Sequence, residues 1–388
     1  MKFAHLGDCH LGSWRIPELQ EINFKSFQKA IESCISEKVE FALISGDLFD
    51  SAYPPIEILK GTFAELRKLK DASIPCYIIA GSHDFSASGK TFLDVLEKAG
   101  FCKNTFLPEI RGENILLNPV IEGSAAIYGY PGKKAGMEVS ELRKVKLQDA
   151  PGYFKIFMLH TSLKEAVGNL PIEAISEAEL PSADYYALGH LHIIYQNNRF
   201  VYSSPTFPNN FLELEELKNG GFCIVDTNPF SIKRIALKIK PVLPCSIQLS
   251  NSLTATETIV SELKERALSD SVVLLRLIGS LSQGKISDIN FKAIELILKE
   301  RGAFAFLKST SDLFSENPEV SFEADSMESM ETQIISSFSE KNSGDSQKFN
   351  HLLPSLFHAL SIDKQEDEKS SVFLDRLMSE LKKTFNIN

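Results

Sequence analysis

Asp8, His10, Asp47, Ser82, His83, His160, His190 and His192 are of types that bind metal ions or move protons, and each falls just after a short apolar run. Asp8 and His10 are two residues apart. In extended chain that spacing turns a carboxylate oxygen and an imidazole nitrogen to the same side. His190 and His192 repeat the spacing with two imidazoles. Histidine mixed with carboxylate suits Mn, Fe or Zn. The set is too large for one tetrahedral ion, so two ions fit better, with Asp47 placed to bridge them. Two ions ~3.5–4 Å apart can hold an attacking hydroxide and a phosphate oxygen for in-line displacement.

No member is diagnostic alone. A lone Asp47 would more often be a helix cap, and a lone His160 a satisfied core histidine. The signal is the set, with five of the eight histidines behind apolar runs. His5 has the opposite parity and reads as structural. Cys9 faces away from its two neighbours and reads as a buried thiol. His351 and His358 fall in the tail and read as interface or surface residues.

The elements that must position these groups follow a rhythm. Apolar runs at 2–6, 41–45 and 76–80 alternate with amphipathic helical patterns at 18–39, 55–70 and 89–99. Such alternation predicts an α/β sheet with parallel strands, with polar residues just past the strand ends. Further strands are expected at 113–130, 154–159 and 185–188, then at 200–202, 221–226 and 232–240. With no helical pattern between them, they predict a second, antiparallel sheet packed on the first. Pro241 and Pro244 mark a boundary between a main domain, 1–240, and a smaller α/β unit, 241–310. Residues 311–347 read as a flexible acidic linker, and 348–388 as a tail with helices at 351–360 and 370–385. Their apolar faces have no core of their own and are expected to lie on a partner.

The chain has 388 residues, 43% of them hydrophobic, and a net charge of −10. That charge argues against coating nucleic acid by bulk electrostatics, though not against gripping phosphate through metal ions. No apolar run approaches the ~18 residues of a membrane span, and no secretory signal is expected. The six cysteines form no C-x-x-C pair and read as reduced thiols of a cytosol.

Asp8-Cys-His10, Gly46-Asp47, Gly81-Ser-His83, His160 and Gly189-His-Leu-His192 resemble the five motifs of the calcineurin-like metallophosphoesterases. The variants D-x-H-L-G and G-D-L-F-D, and the appended C-terminal module, are similar to the SbcD-type exonucleases in an archaeal-like form. These are the nuclease subunits of the DNA double-strand-break repair complex. The resemblance implies an α/β fold: a two-sheet sandwich flanked by helices, a small capping domain and a helical tail. It implies two divalent ions, with Mn2+ the expected metal. Asp8, His10 and His192 would hold one ion, His160 and His190 the second, and Asp47 would bridge. His83 would act at the scissile phosphate as a catalytic residue. Asp84 would orient His83 or serve as a surface cap. The family carries Asn where this chain has Ser82, a poorer donor, so weak occupancy of the second site is expected. Asp50 stands where some relatives have a histidine, and its role is open. The implied partners are DNA, an SMC-like coiled-coil ATPase bound through the tail helices, and a second copy of the chain. The implied location is cytoplasmic and nucleoid-associated.

Trp14, Arg15, Tyr53, Lys90, Lys133 and Lys134 are candidate DNA contacts, although each taken singly reads as ordinary loop surface. The leading expectation is a nuclease that trims DNA from 3′ ends and nicks single strands. Its rival is a small-molecule or cyclic-nucleotide phosphodiesterase on the same superfold, and a third possibility is a scaffold that has lost catalysis.

Overall fold

The computed structural model describes residues 1–85, 91–133, 136–168, 170–315 and 370–385. Met1–Ser315 form one compact unit and Glu316–Asn388 a second. The first strands are β1 (Lys2–Leu6), β2 (Phe41–Ser45), β3 (Cys76–Ile79), β4 (Lys103–Asn104), β5 (Pro108–Arg111), β6 (Asn114–Leu117), β7 (Val120–Glu122), β8 (Ala125–Tyr130) and β9 (Val145–Leu147). They are followed by β10 (Phe154–His160), β11 (Tyr185–Gly189), β12 (Ile194–Asn197), β13 (Phe200–Ser203), β14 (Gly220–Thr227), β15 (Phe230–Leu237), β16 (Val242–Gln248), β17 (Val272–Leu281) and β18 (Ala305–Ser315).

Two six-stranded sheets, ordered β15-β14-β1-β2-β3-β4 and β12-β13-β11-β10-β8-β7, pack face to face. The period of two in β1 sends Phe3 into the layer between the sheets and Ala4 and Leu6 outward, beneath helices. Helix α1 (Pro17–Ser36) opens with proline at its first turn and buries Phe27, Ala30, Ile31 and Cys34 on that outer layer. Helix α2 (Ile56–Asp71) adds Leu66 and Leu69. Phe3 stacks on Phe41 at 5.1 Å and meets Tyr185 of the other sheet edge-on at 5.3 Å. Each such pair adds about 0.5–1.5 kcal/mol beyond its buried area.

The second sheet corrects the antiparallel expectation. β8, β10, β11 and β13 run parallel, and only the edge strands β7 and β12 are antiparallel to their neighbours. β14 and β15 join the first sheet instead. The physical reason is burial on both faces: every residue of β8 and β11 is buried, as parallel strands require. Their crossovers are mostly irregular chain with short helices, which left no long helical periodicity to read.

The small module is a parallel sheet, β16-β17-β18, with helices Ser252–Lys264 and Phe291–Glu300 around its own core. It also shares an apolar cluster with the main sandwich, in which Val242, Val272 and Leu274 meet Leu19, Ile22 and Leu214. β18 runs on to Ser315, so residues 311–315, expected in the linker, are sheet paired with β17. Their serines and aspartate sit on a largely exposed edge strand, which is why their composition imitates a linker. The rest of that linker and the helix expected at 351–360 lie outside the described residues. In the second unit Ser370–Phe385 is helical as expected, with Leu374 and Met378 exposed. Among the described residues, no helix is long and apolar enough to cross a membrane.

Candidate metal centre

The polar residues gather where β1, β2 and β3 of one sheet and β10 and β11 of the other end together. Backbone bonds first zip the loops. Asp8 N–H donates to Gly46 O at 3.2 Å, His10 N–H to Asp47 O at 2.9 Å and Leu11 N–H to Leu48 O at 3.0 Å. From α1, the Asn23 amide donates to Cys9 O at 2.9 Å, while the Cys9 side chain is buried under the helices. His5 is also buried, its Nδ1 2.9 Å from the Tyr185 hydroxyl between the sheets. Asp8, His10, Asp47 and His190 all have positive φ, at 50°, 42°, 47° and 95°. Strained backbone of this kind clusters at functional sites.

The orientation of the histidines is fixed from behind. His10 Nδ1 lies 3.2 Å from Asp50 Oδ1, and His192 Nδ1 lies 2.9 Å from Glu213 Oε1. Nδ1–H bonds to those carboxylates turn the two Nε2 atoms to each other, 3.0 Å apart. His160 Nδ1–H donates to Ser45 O at 3.0 Å, so its Nε2 points to Asp47 Oδ2 at 3.1 Å. That Nε2 is fully buried and has no hydrogen-bond partner of good geometry. Two lone pairs at about 3 Å repel unless a proton or a cation lies between them. The centre holds two such facing pairs, and this donor set fits metal ions. Carboxylate–imidazole pairs of this kind are the usual outer support of metal-binding histidines.

Asp8, His10 and His192 bring ligand atoms within 4.8 Å of one another, and so do Asp8, Asp47 and His160. Asp47 Oδ2 lies 3.7 Å from His10 Nε2 and 3.1 Å from His160 Nε2, between the two groups. The His190 ring packs edge-on to His160 at 5.1 Å, and the backbone N–H of His190 donates to Asp8 Oδ1 at 2.8 Å. His83 is exposed at the rim. Its Nδ1–H donates to Asp50 O at 2.9 Å and its backbone N–H to Asp47 Oδ1 at 2.8 Å, which leaves Nε2 free. Ser82 is half-buried in the same turn.

Charge is tightly coupled here. Burial raises the Asp8 carboxyl. For Asp47 burial also pushes upward, but His160, His10 and His83 outweigh it and hold the carboxyl well below the usual range. Burial would lower His160, yet Asp47 and Asp8 raise it to about 10. Burial, with His160 adding, lowers His190 to about 4. In the absence of cations, a proton on His160 therefore holds the pair together.

Three expectations change. Asp84 neither orients the His83 ring nor caps a surface: it is buried, accepting from Phe49 N–H at 3.1 Å and Gly81 N–H at 2.9 Å. It fastens the β2 loop to the β3 loop, and burial beside Asp47 pushes its carboxyl up to about 7. Asp50 acquires a role, holding His10 by its carboxylate and His83 by its carbonyl. Trp14 donates to Pro208 O at 3.1 Å and packs on Phe207, so it pins a loop. Lys133 pairs with Glu141, Arg15 and Tyr53 are exposed, and Lys90 and Lys134 lie outside the described residues. Glu213 was invisible beforehand. It sits in a short helix, Phe211–Leu217, with no ligand spacing around it.

The fold and the centre define a metal-dependent phosphoesterase of the kind that uses two ions. Residues 1–193 belong to the calcineurin-like phosphoesterase family. The chain is 28% identical to the DNA double-strand break repair protein Mre11 of Archaeoglobus fulgidus over 50% of this chain and 46% of that one. It is 32% identical to the Mre11 of Sulfurisphaera tokodaii over 49% of each. It is 30% identical to the uncharacterized metallophosphoesterase YhaO of Bacillus subtilis over 50% of this chain and 48% of that one. The match thus spans about half the length of these relatives.

Proposed function

We propose that the chain is a two-metal, Mn2+-dependent DNA nuclease that trims 3′ ends and nicks single strands in double-strand-break repair. The observation that carries the reading is the pair of facing donor sets, His10/His192 and His160/Asp47, with a free imidazole nitrogen of His83 at their rim. Asp8, His10 and His192 would hold one ion and His160 and His190 the second, and Asp47, between the two groups, would serve both. Bound there, the ions supply Lewis acidity for displacement at a phosphodiester. Asp50 and Glu213 keep the imidazoles aimed, and Asp84 holds the two loops in register. His83, fixed through Nδ1, presents Nε2 to protonate the leaving oxygen or stabilise charge on phosphate. The names of the archaeal relatives support DNA as substrate. The exposed apolar residues of the tail helix support docking on an SMC-like ATPase, and we place the protein in the cytoplasm at the nucleoid, as a homodimer.

A second reading, a small-molecule or cyclic-nucleotide phosphodiesterase, draws on the net charge of −10 and on Lys133 being tied to Glu141. End-labelled duplex and single-stranded DNA, incubated with Mn2+, Mg2+ or EDTA, separates the two. Mn2+-dependent cutting that falls by about 10²–10⁴ in His83→Ala is the expected result. Turnover of a generic phosphodiester without DNA cutting would favour the second reading.

A further inference from the structure

The helix Phe211–Leu217 lies between the metal centre and the small module. Successive helical residues turn by about 100°, so residues two apart face nearly opposite ways. Glu213 faces the centre. Its Oε1 is 2.9 Å from His192 Nδ1, and its Oε2 accepts from Asn209 N–H at 2.7 Å. Glu215 faces the module. Both of its oxygens accept from Arg276 of β17, Nε–H at 3.0 and 3.2 Å and Nη2–H at 2.6 Å. Between them Leu214 is buried against Val242, Val272 and Leu274.

Arg276 is built for this contact. Its guanidinium lies 5.2 Å from the Phe211 ring centroid, its Nη1–H donates to Asp312 at 2.5 Å, and its side chain is only 16% exposed. The pairing of β17 with β18 shifts register between Arg276 and Ile278, an irregularity that re-aims a side chain. A planar fork gripping a carboxylate at two points fixes direction as well as distance. Arg276 therefore restrains the helix on one side while Glu213 restrains His192 on the other.

We propose that Arg276 is a positioning residue of the metal centre, holding His192 through Glu215 and Glu213 so that docking of the small module sets the affinity for the ion on the His10 side. The inference rests on the reading of Asp8, His10 and His192 as ligands of one ion. It needs no particular substrate.

The test is Mn2+ binding to the full chain by equilibrium dialysis, in wild type, Glu213→Gln, Arg276→Ala and the double variant, with thermal unfolding in EDTA alongside. Glu213→Gln is expected to weaken one ion by about 10–100-fold. Arg276→Ala should weaken the same ion by about three- to tenfold, as for a residue acting through a neighbour. The double variant should be no weaker than Glu213→Gln alone, because both act on one path. Glu215→Gln, which keeps its volume, should reproduce Arg276→Ala and replaces it if that variant does not fold. Wild-type affinity in Arg276→Ala, additive losses, or equal weakening of both ions would overturn the proposal. A wild type that binds two ions but does not cut DNA would sink the nuclease reading and leave this one standing. A wild type that binds no Mn2+ overturns both.

Discussion

The two halves of the metal centre hold their histidines by different means. His160 is packed. Its ring fits among Gly46, Gly132 and Gly189, where an added Cβ would come within 2.3, 2.4 and 3.0 Å of ring atoms, and its Nδ1 is tied to a backbone carbonyl. His10 and His192 are tethered instead, by the side-chain carboxylates of Asp50 and Glu213. A packed ring cannot move unless the ends of β2, β10 and β11 move with it. A tethered ring can be re-aimed by changing one residue. Stability should therefore be concentrated in the first half and adjustable affinity in the second.

The largest effect expected from this contrast is that of Gly46→Ala. Its Cβ would lie 2.3 Å from His160 Nδ1 at a φ of +87°, so overpacking and backbone strain add. A loss of about 3 kcal/mol or more is expected in urea unfolding of the metal-free protein. A loss under about 1 kcal/mol would break the comparison. Asp50→Asn on the tethered side should do the reverse. Mn2+ affinity should fall about tenfold, while urea stability changes by less than about 1 kcal/mol.

The pH dependence sharpens the same contrast. In the metal-free protein His160 is raised to about 10 and Asp47 is lowered. The histidine's contribution is complete below about pH 6.5 and fades as pH rises toward 10. The carboxylate's is complete above about pH 4 and fades below it. Melting temperature in EDTA should therefore decline from pH 6.5 to 9. The rise on adding Mn2+ should grow over the same range, because the displaced proton is held less well. An Mn2+ shift that shrinks with pH would contradict the His160–Asp47 pair as its origin. The smallest expected effect is a severalfold tightening at the second ion in Ser82→Asn, since an amide oxygen reaches further than a hydroxyl. Equal affinities in dialysis would show that Ser82 does not limit that site.

What the sequence could reveal follows from the range of each signal. Although left-handed backbone at Asp8, His10 and His190, in place of the extended chain expected, sets their directions, Asp8, His10 and the pair at 190 and 192 were legible because a strand end is local. The same holds for the α/β rhythm of the first hundred residues. The direction of β8, β10, β11 and β13 was not, because strands buried on both faces lose the alternation that marks one solvated side. Glu213, and the loop-fastening role of Asp84, escaped because the partners that define them, His192 and Phe49, are 21 and 35 residues away. Nothing local distinguishes a carboxylate aimed at an imidazole from one aimed at water.

The left-handed backbone at Asp8, His10, Asp47 and His190 has a consequence for how such a protein can drift. Each of these residues carries a conformational cost of about 1–2 kcal/mol that glycine would largely avoid. Glycine would, however, also strip away the Asp8 and Asp47 oxygens that accept from the backbone N–H groups of His190 and His83, and leave holes where buried side chains now sit. Strain and contacts therefore hold each other in place, and a lineage released from cation chemistry would find no single downhill step away from the site.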